Sequence, residues 1–451
     1  MRNRIPESLR ILANACPSPL YLVGGSVRGY VSGSTSSFRD YDICAPLSAD
    51  ELINVASKLG FSVKSVFRNT GTVKMQDSNG TEYEYSSFRS DKYIRGVHVP
   101  VETYFTNDIN LDAKRRDFTC NAVYYDIQKD TFVDPLDGIT AIHEKRLTTV
   151  APAYKVFGED GLRLMRLARQ AAHLGFSPDS ECLLGAKQNA YLIKDISPER
   201  IFTELQSILR AEERYGNKDG AYQGLRLLEE IGVFAYIFPE LQLGKNMIQR
   251  KDFHDYDVLE HSLRAVKYAD NSIRLAALLH DIGKPFCQNR DGNVHEHHKE
   301  GALLAKQVLT RLKAPNYLIK RIPALIEWHM YDMDCKTSER KLRRFFVTHY
   351  TLLDELLLLK QADFSACKDD TSVAPTCQKW RTLLAKMKAE NTPFTLKQLA
   401  ISGKDVLDLG IKPNHVSTIL NELLLHAATN PADNNKQTLI KLALSFEKSL
   451  S

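Results

Sequence analysis

The chain has 451 residues, too many for one ordinary core, so about two to four domains are expected. Its 43% hydrophobic and 25% charged residues are those of a globular protein, no apolar run approaches a bilayer span, and the N-terminus MRNRIPESLRILANACPSPL lacks the apolar core of a secretory leader, so a cytoplasmic protein without a membrane partner is expected. The formal net charge of +5, from 60 Lys and Arg against 55 Asp and Glu, neither demands nor excludes nucleic acid; the eight cysteines contain no C-x-x-C pair, which argues against a zinc ribbon or a disulfide framework and for reduced, mostly buried thiols.

A short helical pattern over 5–14 is ended by Pro17 and Pro19 and leads into a strand at LYLVGG. Glycines directly after a strand let the backbone approach a ligand, and Ser26 is placed to cap the following helix, so Gly24, Gly25 and Ser26 read as a phosphate cradle. In RDYDI, Asp40 and Asp42 are one residue apart, so on an extended strand both carboxylates project to one face and Tyr41 to the other. Paired carboxylates facing solvent suit a hard divalent cation such as Mg²⁺. The run from Ser48 reads as a helix closed by Gly60, and FSVKSVF, TVKMQD and TEYEYSSFRS read as antiparallel strands joined by turns. Glu82 and Glu84 share one face of the last strand. Beside the strand of Asp42, Glu84 would be a third carboxylate near the metal; elsewhere it is a solvated side chain on a sheet face. Residues 90–110 are polar and without period, the profile of a functional or mobile loop. In the following KRRDFTCNA, the guanidinium fork of Arg116 matches triphosphate oxygens.

Beyond Arg146 the chain reads as helical for most of its length. Asp160, Arg163, Arg166 and Arg169 recur every third residue and are expected as a stripe along one side of a helix. A carboxylate only accepts and suits the exocyclic amino group of cytosine or adenine; a guanidinium only donates and suits the neighbouring ring nitrogen and carbonyl. Uracil and guanine present the opposite polarity. In ISPERIFTELQSIL, Ser197 and Pro198 open a helix in which Arg200 and Glu204 are expected to brace structure. His261, then His280-Asp281, then VHEHHKEGA, His329 and Asp363 offer neutral imidazoles with carboxylates, a set that accepts a divalent metal of unspecified identity and activates water against a phosphoester. The sequence does not say whether His297 or His298 faces inward.

In order, GGSVR, RDYDI, RRDFTCNA, E-D-x-x-R at Glu159, Asp160 and Arg163, PERIFTEL and the His-Asp set resemble the class II, bacterial-type tRNA nucleotidyltransferases. These are CCA-adding enzymes and poly(A) polymerase relatives carrying an HD domain. The resemblance implies an α+β protein: a mixed-sheet nucleotidyltransferase head (1–145), a helical neck and body (146–243), an HD domain (244–370) and a helical tail (371–451). It implies template-independent addition of CMP and AMP to the tRNA 3′ end from CTP and ATP. Asp40 and Asp42 would be catalytic and hold two Mg²⁺ about 3.5–4 Å apart, with Glu84 a candidate third ligand. Gly25, Arg28 and Arg116 would hold the triphosphate, Asp160 and Arg163 would read the base, and Arg166 and Arg169 would assist. His261, His280, Asp281 and Asp363 would hold the HD metal. The chain departs from the family pattern at Gly29, where Asp is usual, at Gly161, where Pro is usual, and at Gln170, where an aromatic is common. A poly(A) polymerase, an A-adding enzyme or a CC-adding enzyme stays open within the family, as does an HD phosphohydrolase whose head only binds RNA. The oligomeric state stays open too.

Overall fold

Alternation in the first, second and fifth strands commits every other side chain to a core, and the remaining side chains are then free to build a polar surface on the opposite face. The computed structural model describes residues 1–33, 41–94 and 100–450. The chain divides into two units, Met1–Pro239 and Glu240–Ser451. Asp40 lies outside the described residues, as do 95–99 of the irregular segment.

In the first unit, helix α1 (Glu7–Ala15) leads to β1 (Tyr21–Val23), α2 (Gly25–Val31), β2 (Tyr41–Ala45), α3 (Ala49–Lys58), β3 (Ser62–Phe67), β4 (Thr72–Gln76) and β5 (Glu82–Ser87). A ribbon, β6 (Arg89–Lys92) with β7 (Glu102–Phe105), is followed by α4 (Ile109–Lys114), β8 (Tyr124–Asp126), β9 (Thr131–Val133) and α5 (Gly138–His143). Seven of these strands form one sheet in the order β3-β4-β5-β2-β1-β8-β9, in which only β2 with β5 is parallel. The rest of the unit is mainly helical, beginning with α6 (Ala153–Glu159), α7 (Leu162–Leu174), α8 (Ser180–Asn189) and α9 (Pro198–Leu209), with one short parallel pair, Arg146–Leu147 beside Ser177–Pro178.

Ser48 caps α3 through a reciprocal box: its hydroxyl accepts from the Glu51 amide at 3.2 Å, and the Ser48 amide donates to Glu51 Oε2 at 2.7 Å. Ser26 plays no such part for α2. The cap there is Gly24, with φ at +73°, and Ser26 lies buried within the first turn. The irregular segment contains two strands, because β6 and β7 pair antiparallel, Arg89 opposite Phe105 through Lys92 opposite Glu102. The ribbon is half-buried along β6 and more exposed along β7, and its sequences RSDK and ETYF carry no apolar alternation, so no period marks it in the sequence.

The expected single helix through Asp160 is two. Asp160 ends α6 in extended backbone, φ −147° and ψ 108°, and its Oδ1 accepts from the Leu162 amide at 3.0 Å to start α7 anew. A carboxylate bonding its own backbone two residues on competes with a continuing helix. Gly161 fits the break because a Cβ there would sit 2.8 Å from the Leu192 carbonyl oxygen.

The second unit is all helical in its regular elements, and no described helix is long and apolar enough to cross a membrane.

At Gly24 an alanine would meet both a left-handed φ of +73° and the Asp42 carboxylate, 3.0 Å from the added Cβ; at Gly25 the nearest atom is 3.9 Å away. Gly24→Ala should therefore cost about 1–3 kcal/mol of stability, visible as a lower Tm by calorimetry, and Gly25→Ala clearly less. Equal effects would contradict the close approach.

Candidate functional site

Residues opposite each other in neighbouring strands share a face, and the register places Val23 opposite Asp42 and Asp42 opposite Glu84. Tyr41, Ile43, Tyr83 and Tyr85 of the intervening positions are buried on the other face, where Tyr83 meets Ser8 of α1 at 3.0 Å. Asp42 and Glu84 thus open together into a cavity of about 250 Å³ that is also lined by Arg89, Arg115 and Arg116. Glu84 pairs with Lys74 at 3.1 Å, both half exposed. Because Gly24 has no side chain, Asp42 Oδ2 keeps the space that a Cβ would take. A solvent-reached carboxylate with a second one in register, faced by guanidiniums, fits a divalent cation carrying phosphate.

The arginines, which follow α4, are set by Asp112 in its first turn. This carboxylate is fully buried; Oδ1 accepts from Arg115 Nε at 2.7 Å, and Oδ2 from Arg116 Nη2 at 3.0 Å and the Tyr124 hydroxyl at 2.8 Å. Burial works to raise its pKa, but the Arg116 and Arg115 charges outweigh burial and hold it below the usual carboxylate range. Sequence reasoning passed over Asp112, although an acid three and four residues before an arginine pair on a helix is a recognisable signal.

From this cavity a polar path runs into the neck. Arg163, 4% exposed, donates through Nη2 to the Arg115 carbonyl at 3.2 Å and through Nη1 to Val156 O and Glu159, both at 2.9 Å, while Tyr93 lies over its guanidinium at 5.3 Å. Arg28 donates to Asn121 Oδ1, and Asn121 donates to Asp117 at 3.1 Å. Asp117 faces Arg166 at 3.7 Å, Arg166 also faces Glu204 at 3.8 Å, and Arg169 pairs with Glu204 at 2.9 Å. Asp160 faces Arg200 at 3.7 Å. Of the residues expected in the head and neck, Asp42, Glu84 and Arg116 share the cavity and Arg163 is hydrogen-bonded to its rim. Gly25 and Arg28 stand together on α2, and Arg166 and Arg169 turn to Glu204 of α9.

The second unit carries a separate cluster. Asp257 caps the helix Val258–Tyr268 and fixes the start of the element that bears His261. His280 and Asp281 follow the helix Arg274–Leu279, His297 opens His297–Arg311, His329 follows Asn316–Trp328, and Asp363 lies in Leu353–Lys368. All six side chains are buried. His261 Nε2 is 3.0 Å from Asp363 Oδ1, 3.1 Å from His280 Nε2 and 3.4 Å from Asp281 Oδ2. The other Asp281 oxygen is 3.3 Å from His297 Nε2 and 3.8 Å from His329 Nε2. Asp281 therefore stands between two donor groups, and the inward histidine of the 297–298 pair is His297.

Nδ1 of His280, His297 and His329 donates to the carbonyl three residues earlier, at 2.8, 2.8 and 2.6 Å, which leaves each Nε2 lone pair turned inward. Nε2 of His297 and of His329 is buried with no hydrogen-bond partner. Burial opposes charge on His280, but Asp281 and Asp363 outweigh it and push the imidazole up to about 10, so a metal at Nε2 would take the place of a proton there. Two imidazole nitrogens 3.1 Å apart between carboxylates, with two more left unsatisfied, fit a divalent metal. Lys284 Nζ, 2.6 Å from Asp281 Oδ2, was not anticipated from the sequence. A cavity of about 760 Å³ opens over the cluster, walled by Met247, Phe253, Met330, Met333 and Phe364 and by the polar Lys284 and His254.

A family model described as the poly A polymerase head domain matches residues 20–148. One described as a probable RNA and SrmB-binding site of polymerase A matches 175–243, and an HD domain model matches 258–363. The chain is 29% identical over 428 residues to an A-adding tRNA nucleotidyltransferase of Deinococcus radiodurans, covering 90% of this chain and 91% of that one. It is 27% identical over 432 residues to a CCA-adding enzyme of Levilactobacillus brevis, covering 93% and 92%. With a CCA-adding enzyme of Lactococcus lactis it shares 34% identity over 223 residues, 49% of this chain and 52% of the relative. Among solved structures, the fold matches a Bacillus stearothermophilus CCA-adding enzyme in complex with CTP at a TM-score of 0.67 and 23% identity, covering 99% of both chains.

Replacing the buried Asp112 by Asn leaves Arg115 and Arg116 without their anion and should cost about 3–5 kcal/mol by urea unfolding at neutral pH. The carboxylate has a lowered folded pKa, so its contribution is present above the unfolded pKa of about 3.9 and is lost as pH falls through the lower folded value. The gap between wild type and Asp112→Asn should close below about pH 4; a gap independent of pH would contradict it.

Proposed function

From the chain's likeness to tRNA nucleotidyltransferases and poly(A) polymerases with an HD domain, we propose that it adds CMP, CMP and AMP to the 3′ end of tRNA from CTP and ATP. The supporting observation is the head cavity in which Asp42 and Glu84 face Arg115 and Arg116, with Arg163 bonded to the Arg115 carbonyl. Asp42, with Asp40 and Glu84, would hold Mg²⁺, which supplies a lowered pKa for the attacking hydroxyl and charge neutralisation at the phosphates. The turn at Gly25, Arg28 and Arg116 hold the triphosphate, and Arg116 is aimed by Asp112 and Tyr124. The RNA 3′ oxygen bonds to the α-phosphorus, its proton passes to solvent, and the bond to the β-phosphate bridge breaks to release pyrophosphate.

Asp160 and Arg163 select the base, with Arg163 preorganised by Val156, Glu159 and Tyr93. Arg166 and Arg169 reach a base or phosphate by exchanging Glu204 for it. The four segments 1–145, 146–243, 244–370 and 371–451 serve as catalytic head, base- and RNA-binding neck, HD domain and tail. In the HD domain, His261, His280, Asp281 and Asp363, with His297 and His329, would hold a divalent metal, which would supply an activated water for phosphoester hydrolysis. The protein works in the cytoplasm.

The full-length likeness to the Deinococcus radiodurans enzyme supports a second reading, addition of the terminal A alone.

Asp42→Ala should reduce nucleotide incorporation into tRNA by at least about 1,000-fold with the Tm held within a few degrees. Substantial residual transfer by the pure variant would remove Asp42 from the chemistry. Arg163→Ala should lower the preference for CTP and ATP over UTP and GTP by roughly 10- to 100-fold. Because this is a ratio within one preparation, loss of fold cannot mimic it, and an unchanged ratio would contradict base reading.

A further inference from the structure

Three of the four imidazoles in the second unit's cluster are anchored alike, Nδ1 donating to the carbonyl three residues back. His261 is the exception. It lies inside the helix Val258–Tyr268, where preceding carbonyls serve the helix itself, and the Val258 carbonyl also takes the Ser262 hydroxyl at 2.9 Å. With Nε2 turned to Asp363 and His280, its Nδ1 is buried and has no hydrogen-bond partner. To offer the Nε2 lone pair to a cation, His261 must carry its proton on that Nδ1, and a buried N–H requires an acceptor.

One side chain is placed to supply it. The His254 ring meets the His261 ring edge-on at 4.9 Å, and His254 Nδ1 is also buried without a partner. A ring nitrogen of His254, one of His261 and Cys367 Sγ lie within 4.8 Å of one another. The Cys367 thiol donates to the Asp363 carbonyl at 3.3 Å, so the acceptor that remains is the imidazole. Polar atoms no more than 4.8 Å apart are within reach of one water making two hydrogen bonds.

We propose that His254 is a positioning residue for the HD metal site: through one bridging water it accepts the Nδ1 proton of His261 and so fixes the tautomer that binds metal. His254 does for His261 what main-chain carbonyls do for the other three imidazoles. Outer partners of this kind set ligand orientation and basicity. The inference rests on the reading that this cluster holds a divalent metal.

The test is Mn²⁺ binding, followed by electron paramagnetic resonance on the full chain carrying Asp42→Ala, so that the signal belongs to the second unit. His254→Ala should raise the Mn²⁺ Kd by about 10- to 100-fold. His254→Gln, whose side-chain carbonyl can accept the same proton, should recover most of the loss. His295→Ala, at an exposed imidazole, should change nothing. Wild-type affinity in His254→Ala, or equal weakening in the Ala and Gln variants, would overturn the positioning role. Absence of tight Mn²⁺ binding before His254 is altered would instead overturn the metal reading beneath it.

Discussion

The parallel pairing of β2 with β5 governs the head. It sets Asp42 opposite Glu84, and the pleat then sends both carboxylates to the face away from α1 while Tyr41, Tyr83 and Tyr85 go into the core. A slip of one residue would bury the acids and expose the tyrosines, so hydrophobic burial itself fixes the geometry of the polar face. Gly24 follows from the same constraint, because the chain leaves β1 with a φ of +73° there and an added Cβ would crowd Asp42 Oδ2 at 3.0 Å.

Around that face, positive charge is held by few carboxylates. Asp112 serves both Arg115 and Arg116, and Glu204 serves both Arg166 and Arg169. An arginine that shares its anion keeps N–H groups for a ligand, whereas a buried guanidinium with no anion would be too costly to keep. The bond from Arg163 to the Arg115 carbonyl ties the residue proposed to inspect the base to those proposed to hold the phosphates. A shift of the neck at α7 would thus be felt at the triphosphate.

Much of this was legible in the residues. Strands β3 to β5, the helix running from Ser48 to Gly60 and the set of His261, His280, Asp281 and Asp363 follow from alternation, helix-stop signals and donor type. The ribbon β6–β7 did not show because its mostly polar residues, RSDK and ETYF, leave no apolar period. The break at Asp160 did not show because a period of three persists across two helices, and only the side chain's bond to Leu162 reveals the restart. His297 could not be told from His298 in sequence, since the choice depends on where the first turn of its helix lands against Asp281. His254 matters through a ring contact with His261 of another element, which spacing does not encode, whereas Lys284 stands three residues after Asp281 and its pairing follows from that local spacing.

The most direct measurement is single-turnover extension of a tRNA lacking its terminal CCA, given CTP, ATP and Mg²⁺, with the 3′ end sequenced. The head cavity and the neck predict C, C and A in that order and then a stop. A long A tail, or no nucleotide added by the folded protein to any shortened tRNA, would contradict them.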